Sequence, residues 1–228
     1  MDIVSFQDCC FSYDGNNNIL ENLTINFKKD RFTAILGESG CGKTTILNLI
    51  IKRLSPTSGV VVRNFSNVGV VLQADSLIDN ISVLRNVMYV CNDKDKAIDA
   101  LKLVEMEEFS KNKAKTLSKG MKKRVEIARA LSIKPDLVIM DEPFANLDHF
   151  TKISLVASLK HFIKNSYASF IYITHDIDEA LVVSDTIVAF NKRPLNNYLK
   201  IDDIQLKDKK LVKNELMGYL NSRYIPIR

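Results

Sequence analysis

Gly37-Glu38-Ser39-Gly40-Cys41-Gly42-Lys43-Thr44 fits the pattern G-x-x-x-x-G-K-[ST], and its flanks match. An apolar run, Phe32 to Leu36, precedes it, and a helical pattern from Lys43 to Leu54 follows, stopped by Ser55-Pro56. Glycines at this spacing let successive backbone N–H groups turn inward around phosphate oxygens. The helix start adds a partial positive charge at the same place. Lys43 is then placed to neutralise the β- and γ-phosphates of a nucleotide, and the Thr44 hydroxyl to join the shell of a Mg²⁺ ion.

A second segment points the same way. Leu137-Val138-Ile139-Met140 reads as a buried strand and runs straight into Asp141-Glu142. The carboxyl ends of strands in an open α/β sheet are where ligands bind. An aspartate there serves the Mg²⁺ shell, and the adjacent glutamate accepts a hydrogen bond from an attacking water. Two adjacent carboxylates alone could simply cap a helix. With the glycine loop upstream they predict a magnesium-dependent nucleoside triphosphatase.

Working outward, the polar tract Asp14-Gly15-Asn16-Asn17-Asn18 separates two strand-like segments, Val4 to Tyr13 and Ile19 to Phe27, and reads as a hairpin turn. Two β-branched runs follow the first helix, Gly59 to Val62 and Val68 to Leu72. From Ser82 to Met106 the apolar residues recur at helical spacing (Val83, Val87, Val90; Ile98, Leu101, Val104), which predicts a helical insertion. A helix from Gly120 to Leu131, a long helix from Leu147 to Lys164, the strands Ser169 to Thr174 and Thr186 to Phe190, and a final amphipathic helix from Lys207 to Leu220 complete the pattern. Strands alternating with helices imply a mainly parallel sheet covered on both faces.

Composition narrows the class. Hydrophobic residues are 46% and charged residues 26% of 228, ordinary for a globular protein. No apolar run approaches the roughly 18–20 residues that cross a bilayer, and the start Met1-Asp2-Ile3 lacks the layout of a secretion signal. A cytosolic protein that meets a membrane only through a partner is the expectation. Cys9, Cys10, Cys41 and Cys91 lack paired C-x-x-C spacing, so ordinary thiols are expected. The net charge of +5 sits entirely beyond Asn191, where nine Lys/Arg face four Asp/Glu. A nucleic-acid binder carries its basic stripe on the main fold, so no nucleic-acid partner is expected. His149 and His161 fall on or near a helix and are expected to be exposed rather than catalytic.

Between the two phosphate-directed segments lies Leu117-Ser118-Lys119-Gly120-Met121, running into Lys123-Arg124-Val125-Glu126-Ile127-Ala128-Arg129-Ala130-Leu131. This resembles the signature motif of ABC-transporter ATPases, and the resemblance spans Val4 to about Phe190. It implies an α/β P-loop NTPase fold of the ABC ATPase kind: an N-terminal antiparallel β subdomain, a parallel-sheet RecA-like core and an inserted helical subdomain. One domain over 1–228 is expected, with the insertion and signature at about 74–131 and a short tail at about 191–228. Physically, Ser118 can cap a helix whose first N–H groups, Gly120's included, receive an anion. In the family that anion is the γ-phosphate on the opposite subunit, so the resemblance implies a head-to-tail dimer with two nucleotides between subunits.

The same resemblance assigns further positions. Gln73, closing Val68 to Leu72, matches the glutamine that senses Mg²⁺ and the permease. Ala145-Asn146-Leu147-Asp148 matches the loop that crosses the dimer interface. His175 matches the switch histidine at the γ-phosphate, and Tyr13 the aromatic ring against adenine. The implied ATP contacts are Tyr13, Gly37, Glu38, Ser39, Gly40, Cys41, Gly42, Lys43, Thr44, Thr45, Ser118 and Gly120. Catalysis falls to Glu142, His175, Lys43 and Gln73, and the Mg²⁺ shell to Thr44, Gln73 and Asp141. Lys119 departs from the pattern, standing where the family usually has glycine, and Met121 replaces the more general glutamine.

Met121, the run Thr174 to Leu181 and Arg193-Pro194 are similar to importer ATPases, most of all the group serving nitrate, sulfonate, taurine and related solutes. The implied partners are an integral membrane permease, a second copy or a homologous ATPase subunit, and indirectly a solute-binding protein, at the cytoplasmic face of the membrane. An ABC-type ATPase of DNA repair or of the ribosome is the alternative. It would carry a long coiled coil, zinc cysteines or tandem cassettes, which this sequence lacks.

Overall fold

The computed structural model describes residues 1–145, 147–166 and 168–222. The strands are β1 (Asp2–Ser12), β2 (Asn18–Lys28), β3 (Phe32–Gly37), β4 (Ser58–Arg63), β5 (Val68–Val71), β6 (Leu137–Asp141), β7 (Ser169–Thr174), β8 (Thr186–Phe190) and β9 (Leu199–Ile201). The α-helices are α1 (Lys43–Ile50), α2 (Val83–Cys91), α3 (Lys94–Leu103), α4 (Lys119–Leu131), α5 (His149–Ser166), α6 (Ile177–Val183) and α7 (Lys209–Asn221). Contacts divide the chain into two units, Met1–Asn64 with Ile171–Arg228, and Phe65–Phe170, the division falling within β7.

In the first unit, β1 and β2 form the expected antiparallel hairpin, and β4 pairs with the other edge of β1. Its turn is tied by Asp14, whose carboxylate accepts hydrogen bonds from the N–H groups of Asn16 and Asn17, the Asn17 amide and the Ser12 hydroxyl. Along β2 the buried residues Leu23, Ile25 and Phe27 alternate with exposed ones, the mark of a strand with one wet face. By contrast every residue of β3 and β8 is buried. These two run parallel from Thr33 opposite Thr186 to Gly37 opposite Phe190, and their unbroken burial is what a strand covered on both faces shows. The antiparallel edge strand β9 then adds to β8. The helix predicted to reach Leu54 ends at Ile50, because Lys52 turns into the left-handed region at φ 60°. Arg63 on β4 satisfies the exposed helix end, donating to Ile50 O at 2.8 Å and Leu49 O at 2.6 Å.

In the second unit β5 and β6 are parallel, Val68 opposite Leu137 through Val71 opposite Met140. Asp136 sets this register, its carboxylate accepting from Ser66 N at 2.7 Å and Asn67 N at 3.0 Å. Helix α4 lies so close on β5 that a Cβ at Gly69 would fall 2.5 Å from Ala130 O. The helical pattern from Ser82 to Met106 proves to be two helices. Asn92 ends α2 at φ 49°, and Asp93 caps α3 by accepting from Asp95 N and Lys96 N. No helix among the described residues is long and apolar enough to cross a membrane.

Candidate functional site

The two phosphate-directed segments of the sequence fall in different units, and each is built locally. In the first unit, the loop after β3 is held by one side chain at its centre. Lys43 is 6% exposed, and its ammonium donates to Gly37 O and Glu38 O, both at 2.7 Å. An ammonium carries three protons. Among the described residues the third meets only the weakly accepting Cys41 Sγ at 3.9 Å, and an anionic oxygen would be a stronger partner for this amine. Two glycines sit where a side chain would be strained. A Cβ at Gly37 would lie 2.6 Å from Phe190 O, and Gly42 combines φ 117° with a Cβ position 2.6 Å from Ile19 Cγ2. Gly42 starts α1 without a side-chain cap, and the first turn holds no acid. The positive end of the helix therefore presents itself to the loop, the electrostatic setting for phosphate.

Around this loop, Glu38, Ser39, Gly40 and Thr44 are exposed while Cys41 and Thr45 are buried. Tyr13 is 63% exposed, its ring edge-on to Phe11 and its hydroxyl 3.2 Å from Thr45 Oγ1, so the ring stands open to solvent beside the loop. His175 directly follows β7 and is exposed. The turn it occupies is braced: Asp176 N donates to Thr174 Oγ1 at 3.1 Å, and the Asp176 carboxylate caps α6 by accepting from Glu179 N at 3.0 Å.

In the second unit, β6 ends at Asp141, which is buried, and the backbone turns left-handed at Glu142, φ 48°. Non-glycine residues in this region are uncommon and cluster at working sites. Gln73, just past β5, brings its Nε2 to 3.5 Å from Glu142 Oε2, so two of the predicted residues meet at the outer limit of a hydrogen bond. Ser118 caps α4, its hydroxyl accepting from Met121 N at 3.3 Å. It is exposed, as is Lys119, and Gly120 is half-buried in the same first turn. That turn holds no acid and carries Lys119 and Lys122, a second helix start favourable to an anion.

A family model described as ABC transporter matches residues 20–145, more than half of the chain. The chain belongs to the ABC transporter family. Relatives of this family include the spermidine/putrescine import ATP-binding protein PotA of Legionella pneumophila (strain Paris), 37% identical over 195 residues. That alignment takes in 78% of this chain and 54% of the relative, so the chain spans about half the length of that protein. The taurine import ATP-binding protein TauB of Roseobacter denitrificans is 33% identical over 190 residues, 77% of this chain and 71% of the relative. Among solved structures, dimeric MJ0796, a bacterial ABC transporter cassette, superposes with a TM-score of 0.78 at 27% identity, over 87% of this chain and 98% of that one. The fold is that of the ABC ATPase cassettes: a mixed α/β chain with parallel strands and an antiparallel β portion.

Of the loop assigned to the dimer interface, Asn146 lies outside the described residues, while Asp148 directly precedes α5, its carboxylate accepting from Thr151 N at 3.0 Å and Thr151 Oγ1 at 2.6 Å. His149 and His161 are exposed, and all four cysteines are free thiols. Sequence reasoning missed the buried charges on α4. Lys123 is 6% exposed and Glu126 fully buried, 2.8 Å apart. The signal was present as opposite charges three residues apart on the signature helix.

Proposed function

We propose that this chain is the ATP-binding and ATP-hydrolysing subunit of a multi-subunit importer of a small solute. It would work as a head-to-tail dimer closed over two nucleotides at the cytoplasmic face of a membrane. The observation that carries the reading is Lys43, an ammonium buried among loop carbonyls with one proton left for an anion, at the uncapped start of α1. The relatives support it, being import ATP-binding proteins for spermidine/putrescine in one case and taurine in the other. The permease, the solute-binding protein and a second ATPase subunit follow from the same reading.

The residues fit a nucleotide accompanied by Mg²⁺. Among the described residues no group of three His, Cys, Asp or Glu could hold a metal alone. That suits an ion whose shell is largely phosphate oxygens and water, with one or two protein ligands. Thr44, Asp141 and Gln73 are the ligands proposed. When bound, Mg²⁺ would offset the charge of the phosphates. Lys43 and the loop amides hold the β- and γ-phosphates, and Tyr13 offers its open ring to the adenine. Glu142 orients the attacking water and accepts its proton, Gln73 steadies that carboxylate, and His175 hydrogen-bonds the γ-phosphate. Ser118 and Gly120 of the opposing subunit close over the same group. ADP and phosphate leave, and the dimer reopens.

Replacing Glu142 with Gln tests the chemistry. A general base contributes about 10²- to 10⁴-fold, so turnover should fall by that order while ATP binding stays within a fewfold. Turnover near wild type would remove Glu142 from this role. Co-purification from membranes tests the partners: a permease should accompany the chain, whereas recovery with ribosomes or DNA-repair proteins would favour the non-transport alternative.

A further inference from the structure

The face of α4 behind its capped N-terminus carries charge into the second unit, and four of its residues, Lys122, Lys123, Glu126 and Arg129, are directed at one segment. Lys123 Nζ donates to Leu72 O at 2.7 Å, reaches Gln73 O at 3.4 Å and pairs with Glu126 Oε2 at 2.8 Å. The other oxygen of Glu126 accepts from Ser76 N at 2.5 Å and from the Ser76 hydroxyl at 2.8 Å. One turn on, Arg129 donates to Ser76 O at 2.9 Å and to the Ser76 hydroxyl. At the helix start Lys122 meets Asp79 at 3.0 Å and Asp75 at 3.7 Å. The far end of the segment is held from α2, where the fully buried Asn86 binds both Ile78 N and Ile78 O.

A buried ion pair by itself adds little stability, since desolvation offsets most of the attraction. Here both charges are spent on backbone groups of residues 72–76, a stretch without regular structure whose peptide groups need partners. We infer that Lys123 and Glu126 are positioning residues: they fasten the Gln73 segment to α4, so that Gln73 and the anion-facing turn at Ser118 and Gly120 are borne on one rigid piece. The inference rests on the proposed roles of Gln73 and Ser118 and deepens them, because an anion engaged at the α4 start and a carboxylate met by Gln73 are then linked mechanically. Fully paired buried networks of this kind lock a single geometry.

The test replaces the pair by apolar residues of similar size, Lys123→Met with Glu126→Leu, in the full chain. Such replacements strand no charge within the pair, but Leu72 O and Ser76 N lose their partners. Melting should therefore fall by only about a few degrees, while amide exchange over 72–79 quickens about tenfold and α4 remains protected. ATP turnover should fall about 10- to 100-fold, the cost of displacing a positioned group, with the affinity for trinitrophenyl-ATP within about threefold. The companion Lys123→Met with Glu126→Gln, which keeps an acceptor for Ser76 N without stranding the ammonium, should restore part of the exchange protection and turnover. A double variant with wild-type exchange over 72–79 overturns the inference, as does a slowed enzyme whose segment stays protected. Should the double variant fail to fold, Ser76→Ala removes the shared hydroxyl without stranding a charge; unchanged exchange there is equally fatal. If the wild type hydrolyses no ATP, the functional reading fails by itself, and the exchange measurement still decides whether the clamp exists.

Discussion

Lys43 and Gly37 show how tightly the phosphate loop constrains individual residues. The Lys43 ammonium holds Gly37 O and Glu38 O together at 2.7 Å each. Methionine at 43 keeps the aliphatic stem and removes the charge, so ATP affinity should drop by about 2 kcal/mol, roughly thirtyfold, in equilibrium titration. An affinity unchanged within threefold would mean that the amine serves only the loop. Gly37→Ala should act on folding instead, because its methyl would press on Phe190 O from 2.6 Å. The backbone rather than a pliable side chain must give way, and a loss of about 1–3 kcal/mol in denaturant unfolding is expected. Both residues were legible in the sequence, since glycine and lysine spacing states the local chemistry outright. The Lys123–Glu126 pair was not legible as a clamp, because its partners are backbone carbonyls and amides of residues about fifty positions away, which no helical periodicity reveals.

At the level of elements, caps and turns decide where structure starts and stops. Ser118→Ala removes the acceptor for Met121 N and should cost about 1 kcal/mol of stability, whereas Ser118→Gly should cost only a few tenths. If both lower ATP turnover equally, the hydroxyl has a role beyond capping. The β1–β2 turn gives a pH signature. The Asn17 N–H, followed by the Asn17 amide, the Asn16 N–H and the Ser12 hydroxyl, holds the Asp14 carboxyl well below its ordinary 3.8. Its contribution is therefore complete above pH 4 and is surrendered as acid is added below it. Acid-unfolding curves of wild type and Asp14→Asn should differ at neutral pH and converge toward low pH. Strands with strong β-branched runs, β7 and β8, were placed correctly from sequence. The overextended α1 has a local cause: Lys52 adopts left-handed backbone, as Asn92 does between α2 and α3, and helical spacing does not encode such turns. Helix α6 had a readable signal, Asp176 three residues ahead of Glu179, in a run too short to show periodicity. Strand β9, three residues at an edge, had none.

At the scale of the whole molecule, the proposed cycle predicts an assembly state. A chain that binds ATP but cannot cleave it should accumulate closed, so Glu142→Gln should sediment as a dimer with ATP and as a monomer with ADP, which lacks the group that Ser118 and Gly120 would grip. Monomers under both conditions would count against the sandwich arrangement. Finally, under the proposed role of Glu142 as base, its left-handed backbone would set folded yield against catalysis. Glycine occupies that conformation without penalty, asparagine nearly so, and valine or isoleucine at a cost of about 1–3 kcal/mol. None of these four can serve as a base. In a library covering every amino acid at 142, the best-tolerated substitutions should thus include inert ones, and natural glutamate should rank below glycine for abundance while standing alone for turnover.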